Sequence, residues 1–163
     1  MPEIGKRHII SAVVENQPGV LARVASLFSA RGFNIESLNV GETENPLWSR
    51  MTISLSGDDR IIEQIRKQLE KLVDTIKVSE LAGSACLERD LALIKLKAPP
   101  NRRGEVRDLV DIFRARIADV TERHMTVEIS GDEEKLQAFI RLAAPFGIAE
   151  MARAGRIAIK RGD

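Results

Sequence analysis

The chain has 163 residues, 44% of them hydrophobic and 30% charged, which is the balance of a globular protein with material for one ordinary domain or two small ones. Lys and Arg number 25 against 24 Asp and Glu, a formal charge of +1, so no whole-molecule field gathers nucleic acid or an anionic membrane. The single cysteine, Cys86, excludes an internal disulfide framework and a cysteine-rich metal site, and no stretch offers the ~20 apolar residues that cross a bilayer.

The first alternating segment, "HIISAVVE", reads as a strand. It runs into "NQPGV", where Pro18 pushes Gln17 out of the helical region and Gly19 can take a positive φ while presenting no Cβ to a neighbour. A helix follows, with Val20, Leu21, Val24, Leu27 and Phe28 in an apolar stripe that ends near Gly32. "FNIESLNV" reads as a second strand, with Phe33, Ile35, Leu38 and Val40 crowding apolar side chains onto both faces. A turn containing Asn45 and Pro46 leads to a strand around Met51, Ile53 and Leu55. A helix then carries Ile61, Ile62, Ile65, Leu69 and Leu72, and "TIKVSE" closes the order βαββαβ.

The second half repeats that order. "LALIKLK" is a strand; a helix carries Val106, Leu109, Val110 and Phe113; "RIADV" and "HMTVEIS" are strands; a helix carries Leu136, Phe139, Ile140 and Ala143; and the final strand is expected near "GRIAIK". "RMTISLSGDD" at 50–59 and "HMTVEISGDE" at 124–133 align without gaps, so the halves read as an internal repeat. In each copy the strand passes through a Ser-Gly-Asp turn whose acidic residue is a suitable cap for the next helix. The expected fold is therefore α+β, two tandem ferredoxin-like βαββαβ units, with one domain at 1–80, a joint at 81–90 and a second domain at 91–163. A unit this small buries little more than ~60% of the surface of its unfolded chain. Its antiparallel sheet also has open edges, so the sheets are expected to pair edge to edge, within the chain or between chains.

Chemistry is sparse. His8 and His124 lie on separate strands away from any motif that would make either a base, and Cys86 has no histidine beside it in sequence. No nucleophile elbow, P-loop or metal-ligand spacing is present. The Gly-Asp pairs at 57–58 and 131–132 read as helix caps rather than thiamine-diphosphate ligands. The corner at Asn16–Leu21 is more informative: the first N–H groups of a helix lack intrahelical partners and carry the positive end of its dipole, so a small carboxylate is a natural guest. Asn16 either caps that helix or serves a ligand, although Asn-x-Pro-Gly is by itself also an ordinary turn that starts a helix. The second unit has "KAPPNRRGEV" at the corresponding corner, which implies no second pocket of the same kind. Arg102 and Arg103 there read either as a solvated turn or as a contact for an acidic surface or a phosphate, and Arg153, Arg156, Lys160 and Arg161 are read the same way.

"ENQPGVLARVASLFSARGFNIESLNV", followed by "SRMTI", "QLEKLVD" and "VSEL", closely resembles the regulatory small subunits of acetolactate synthase, whose first unit is an ACT domain. The resemblance continues through "ERDLALIKLK" and "IADVT" to the terminal "RGD", and its signature residues are Glu15, Asn16, Gly19, Val20, Leu21 and then Gly32, Phe33, Asn34, Ile35. It implies a chain with no catalytic site and no cofactor of its own. Its implied partner is a large catalytic subunit that uses thiamine diphosphate, Mg²⁺ and FAD to make acetolactate in branched-chain amino-acid synthesis. It further implies activation of that subunit, feedback inhibition by valine, and a homodimer whose ACT sheets pair side by side with valine between them. The implied effector contacts are Asn16, Gly19, Val20 and Leu21 of one chain with Asn34 and Ile35 of the other. The implied setting is the cytoplasm, without nucleic acid or membrane, and "MPEIGKRHII" has no apolar run of a secretory signal. The other reading is a free-standing ACT-type amino-acid sensor that acts on another enzyme or regulator.

Overall fold

Alternation along "RHIISAVVE" puts Ile10, Ala12 and Val14 on one face of strand β1 (Arg7–Glu15), and all three are buried. In the computed structural model, which describes residues 5–82 and 85–163, that face is the floor of the first of two compact units. Helix α1 (Val20–Ala30), strands β2 (Ser37–Glu42) and β3 (Trp48–Ser56), helix α2 (Asp59–Glu70) and strand β4 (Thr75–Leu81) follow in order. The sheet runs β2-β3-β1-β4 with every pairing antiparallel, the order expected of a ferredoxin-like unit. Val20, Val24 and Phe28 of α1 and Ile62, Ile65 and Leu69 of α2 close over Ile10, Ile53 and their neighbours.

The second unit contains most of β5 (Cys86–Lys97), then α3 (Arg103–Ile112), β6 (Arg116–Val120), β7 (His124–Gly131), α4 (Glu133–Ala143) and β8 (Ile148–Arg153). Its order is β6-β7-β5-β8, the same arrangement again. The repeat has a packing explanation: Met51, Ile53 and Leu55 in β3 and Met125, Val127 and Ile129 in β7 are all core residues of their own units. Asp58 accepts a hydrogen bond from the Ile61 N–H at 2.8 Å and Asp132 one from the Lys135 N–H at 2.9 Å, so both acidic turn residues are N-caps, as expected.

Three boundaries differ from the sequence expectation. The second strand starts at Ser37 rather than at Phe33, because Phe33 and Ile35 turn in to pack against the core before the ladder with β3 is established. The fourth strand of the second unit is β8, not "GRIAIK". "IAEMAR" has no clean alternation, and it is its pairing with β5, Leu96 opposite Ile148 and Ala92 opposite Arg153, that makes it a strand. "RIAIK" supplies β9 (Ile157–Lys160), which pairs with β5, and the segment Arg156–Asp163 belongs to the first unit. Arg161 donates from its backbone N–H to the Ala85 carbonyl and from Nε to the Cys86 carbonyl. The expected joint at 81–90 thus includes the first residues of β5, and its residues 83 and 84 lie outside the described residues.

Arg153, another of the C-terminal arginines, is bonded inside the second unit, to buried Asp90 at 2.6 Å and to Glu133 at 3.0 Å. Burial alone would lower the pKa of its guanidinium, but the hydrogen bond and charge of Asp90, helped by Glu133, outweigh that and raise it. The arginine therefore stays charged and ties the ends of β5 and β8 to the start of α4.

The two units close their first helices in the same way with different residues. After α1, the Phe33 N–H bonds the Phe28 carbonyl and the Gly32 N–H bonds the Ser29 carbonyl; after α3, Ala115 and Arg114 do the same to Val110 and Asp111. Both are Schellman caps, in which the residue after the helix takes a positive φ. Gly32 has φ 69° without strain, whereas Arg114 is forced to φ 52°. Arg114→Gly is expected to relieve the left-handed strain of about 1–2 kcal/mol while giving back part of it as unfolded-state entropy. Its urea midpoint should rise by the equivalent of up to about 1 kcal/mol, and an unchanged or lower midpoint would mean that the arginine side chain contributes more than its backbone costs.

Candidate functional site

The corner at Asn16–Leu21 is built by three connections meeting at one end of the first sheet. β1 ends with Glu15 opposite Trp48, so the corner emerges beside the tip of the β2–β3 hairpin. The Asn16 N–H donates to the Leu47 carbonyl at 2.8 Å, and Asn16 Nδ2 donates to the Pro46 carbonyl at 3.0 Å. On the other side the Glu15 N–H donates to the Asp74 carbonyl, and the Asp74 carboxylate accepts from Arg23 Nε at 2.7 Å. Arg23 stands on the first turn of α1, so this ion pair fixes the helix start against the α2–β4 connection. Arg23 and Asp74 were not singled out in the sequence; their partnership spans 51 positions, and no local pattern announces it.

The predicted residues divide into two groups. Gly19 is the N-cap of α1 with φ 86° and ψ −13°, a left-handed conformation that glycine adopts without penalty. The Val20 N–H makes only a long 3.5 Å contact to the Gln17 carbonyl, and the Val20 side chain is core. Leu21 is 44% exposed beside it and available to a ligand. Asn16 does not cap the helix: its amide is spent on Pro46, and α1 has neither a side-chain cap nor an acidic residue in its first turn. In this α1 differs from α2 and α4, whose N-termini are each satisfied by aspartate. The start of α1 thus keeps a field of N–H donors with the positive end of the helix dipole behind it.

Asn34, exposed, and Ile35, half-buried, form the second group. They lie beyond the C-terminal end of α1, whose 11 residues span about 16 Å. Within one chain the structure therefore does not bring them to the corner. Among the other sequence candidates, His8 is buried with Nδ1 2.7 Å from Glu80 Oε1, a structural position on β1, and Cys86 is buried. Among the described residues no group of His, Cys, Asp and Glu is placed to hold a metal ion, and no helix is long and apolar enough to cross a membrane.

Tandem ferredoxin-like βαββαβ units define the class of fold, and comparison with known proteins makes the assignment specific. Residues 10–77 match the family model described as the AHAS small subunit-like ACT domain, and residues 89–162 match that of the small subunit of acetolactate synthase. A probable acetolactate synthase small subunit from Archaeoglobus fulgidus is 55% identical over 157 residues, covering 96% of this chain and 98% of that protein. The acetolactate synthase small subunit of Aquifex aeolicus is 50% identical over 157 residues, covering 96% and 82%. The crystal structure of the small subunit from Thermotoga maritima superposes with a TM-score of 0.89 at 42% identity, covering 97% of this chain and 99% of that one. The chain belongs to the acetolactate synthase small-subunit family. Its role is regulatory, it has no catalytic site of its own, and its partner is a catalytic large subunit.

The corner geometry can be tested without any ligand. Gly19→Ala puts an L side chain at φ 86° and its Cβ 3.1 Å from Arg23 Nη1, so the Arg23–Asp74 pair must shift as well. Chemical denaturation is expected to show a loss of about 1–2 kcal/mol, and Gly19→Asn, which tolerates the left-handed region, a smaller one. Equal stability of Gly19→Ala and the parent would contradict the left-handed corner.

Proposed function

We propose that this chain activates the catalytic large subunit and makes it sensitive to valine, which binds between the ACT units of two chains in the cytoplasm. The observation that carries this reading is the separation of the two halves of the site: an uncapped helix start in one place, and Asn34 and Ile35 about a helix length away. A single chain cannot close a pocket from them, but two can.

β2 is an edge strand of the first sheet, with Val40 46% exposed along it. An isologous pairing of two β2 edges extends the sheet from one chain into the next and sets the two α1 helices antiparallel across the twofold axis. The start of α1 in one chain then stands beside Asn34 and Ile35 of the other. The valine carboxylate is held by the N–H groups at Gly19, Val20 and Leu21, the ammonium by amide and backbone carbonyl oxygens around Asn34 and Asn16, and the isopropyl group by Leu21 and Ile35. Selection by size in such an apolar lining is worth only about 1–3 kcal/mol per methylene, so valine is preferred to leucine modestly.

Regulation follows from the shared site. A ligand that touches both chains favours the arrangement in which the two halves meet, and a difference in affinity of about 1–3 kcal/mol between two arrangements is enough for useful control. The large subunit need only bind those arrangements unequally.

A thermal-unfolding panel of the twenty amino acids on the purified chain reads this directly. Valine at a hundred times its Kd is expected to stabilise the folded form by about 2.7 kcal/mol, and Asn34→Ala, which sits on an exposed loop, should abolish most of that rise without lowering the unliganded midpoint. An Asn34→Ala chain that responded to valine like the parent would rule out the two-chain pocket. Retention of a thiamine-diphosphate enzyme in a pull-down separates this reading from a free-standing sensor.

A further inference from the structure

In the second unit the corner that corresponds to Asn16–Gly19 opens onto a cavity and carries different chemistry. The registers place the two corners in equivalent positions: Lys97 lies opposite His124 in the β5–β7 pair as Val13 lies opposite Arg50 in the β1–β3 pair. From there each strand turns into the first helix of its unit. The cavity at this second corner has a volume of about 960 Å³, within the range of sites that hold small organic molecules.

Its wall is basic. Lys97, Arg102, Arg103 and Arg123 border it against one carboxylate, Glu122, and His124 faces it from the start of β7. Elsewhere in the molecule many cations are paired, for example Arg23 with Asp74, Arg66 with Glu70 and Arg153 with Asp90. Among the described residues the side chains of Lys97, Arg123 and His124 have no ion-pair or hydrogen-bond partner. Lys97 and Arg123, left in this way side by side, make a local positive field in a chain whose formal charge is only +1.

The rest of the site is rigid and apolar. Arg103 donates to the carbonyls of Ala98 and Thr121, which pins the strand-to-helix connection to the β6–β7 turn. The Ala98 N–H donates to the Arg123 carbonyl at 2.8 Å and fastens the same two segments from the other side. The Arg102 guanidinium sits over Phe146, its carbon 4.4 Å from the ring centroid, and is paired with Glu105 at 3.3 Å. Pro99 and Pro100 add apolar surface beside the ring.

The geometry points to this corner as a second binding site, for a small organic anion whose phosphate or carboxylate group faces Lys97 and Arg123 and whose flat apolar body lies against Phe146 and the two prolines. A single inorganic ion would leave most of the cavity and all of its apolar wall unused, and an uncharged ligand would leave the unpaired cations unanswered. The site lies wholly within one unit, so it does not depend on the valine reading of the first.

The probes are phenyl phosphate and benzoate, with phenol as the uncharged control, titrated into the full chain by calorimetry at low salt. Saturable binding of either anion is expected, at least tenfold tighter than phenol and several-fold weaker at 0.3 M salt, because opposed charges near a surface are screened. The tighter of the two anions identifies the head group. Lys97→Gln with Arg123→Gln, both exposed and outside the core, should weaken that binding at least tenfold and leave the thermal midpoint in place. Phe146→Leu should weaken phenyl phosphate more than inorganic phosphate. No saturable binding of either anion, equal affinity for phenol, or anion binding unchanged in the double variant would each overturn the site.

Discussion

The antiparallel register of β1 on β3 is the constraint from which the rest of the first unit follows. It runs unbroken from Arg7 opposite Ser56 to Glu15 opposite Trp48, and a shift of one residue would turn Ile10, Ala12 and Val14 out of the core together. With that register in place the end of β1 can only emerge beside the β2–β3 hairpin tip, where the Leu47 and Pro46 carbonyls take the Asn16 donors. Asp74 then receives Arg23, and the start of α1 is located to within a hydrogen bond. The corner at Asn16–Gly19 is thus a consequence of strand pairing, not an addition to it.

The same framework appears twice, and comparing the copies separates what packing requires from what function can vary. Core positions keep their size and character, methionine for methionine at 51 and 125, and both second helices are capped by aspartate. The first corners do not agree: Gly19 makes a left-handed turn with no side chain, while the second unit has Pro99, Pro100 and two arginines at the equivalent place. Most corner residues lie outside the core, so they can change while the buried residues of each unit keep their places. A duplicated fold offers two such places, and here one presents the backbone N–H donors of an uncapped helix start and the other is ringed by cationic side chains.

In the proposed site the two groups of residues stand at opposite ends of one helix, so recognition there would depend on the geometry between chains. The helix is rigid on the scale of a ligand, so the distance between Gly19 and Asn34 cannot shrink within a chain to suit a small amino acid. In the proposed arrangement complementarity comes from a second copy. Under that proposal a small subunit with no catalytic group would transmit the presence of a metabolite through an arrangement of chains to which the larger partner responds.

Much of this was legible in the sequence because the determinants are local. The period-two strands, the apolar stripes of α1 to α4, the aspartate caps and the glycine corner are all set by residues within a few positions of one another, and the ACT signature ran through the same stretch. What the tertiary structure alone decided involves distant partners. "IAEMAR" became a strand because β5 offered it an edge, and Arg156–Asp163 returned to the first unit because Arg161 found the carbonyls at 85 and 86. Arg23 met Asp74 across 51 positions, Asn16 was drawn to Pro46 rather than to the helix it precedes, and Arg102 came to lie on Phe146. Local sequence determines which elements form and where they turn; which side chains meet at the turns is settled by strand register and packing, whose energies depend on residues far apart in the chain.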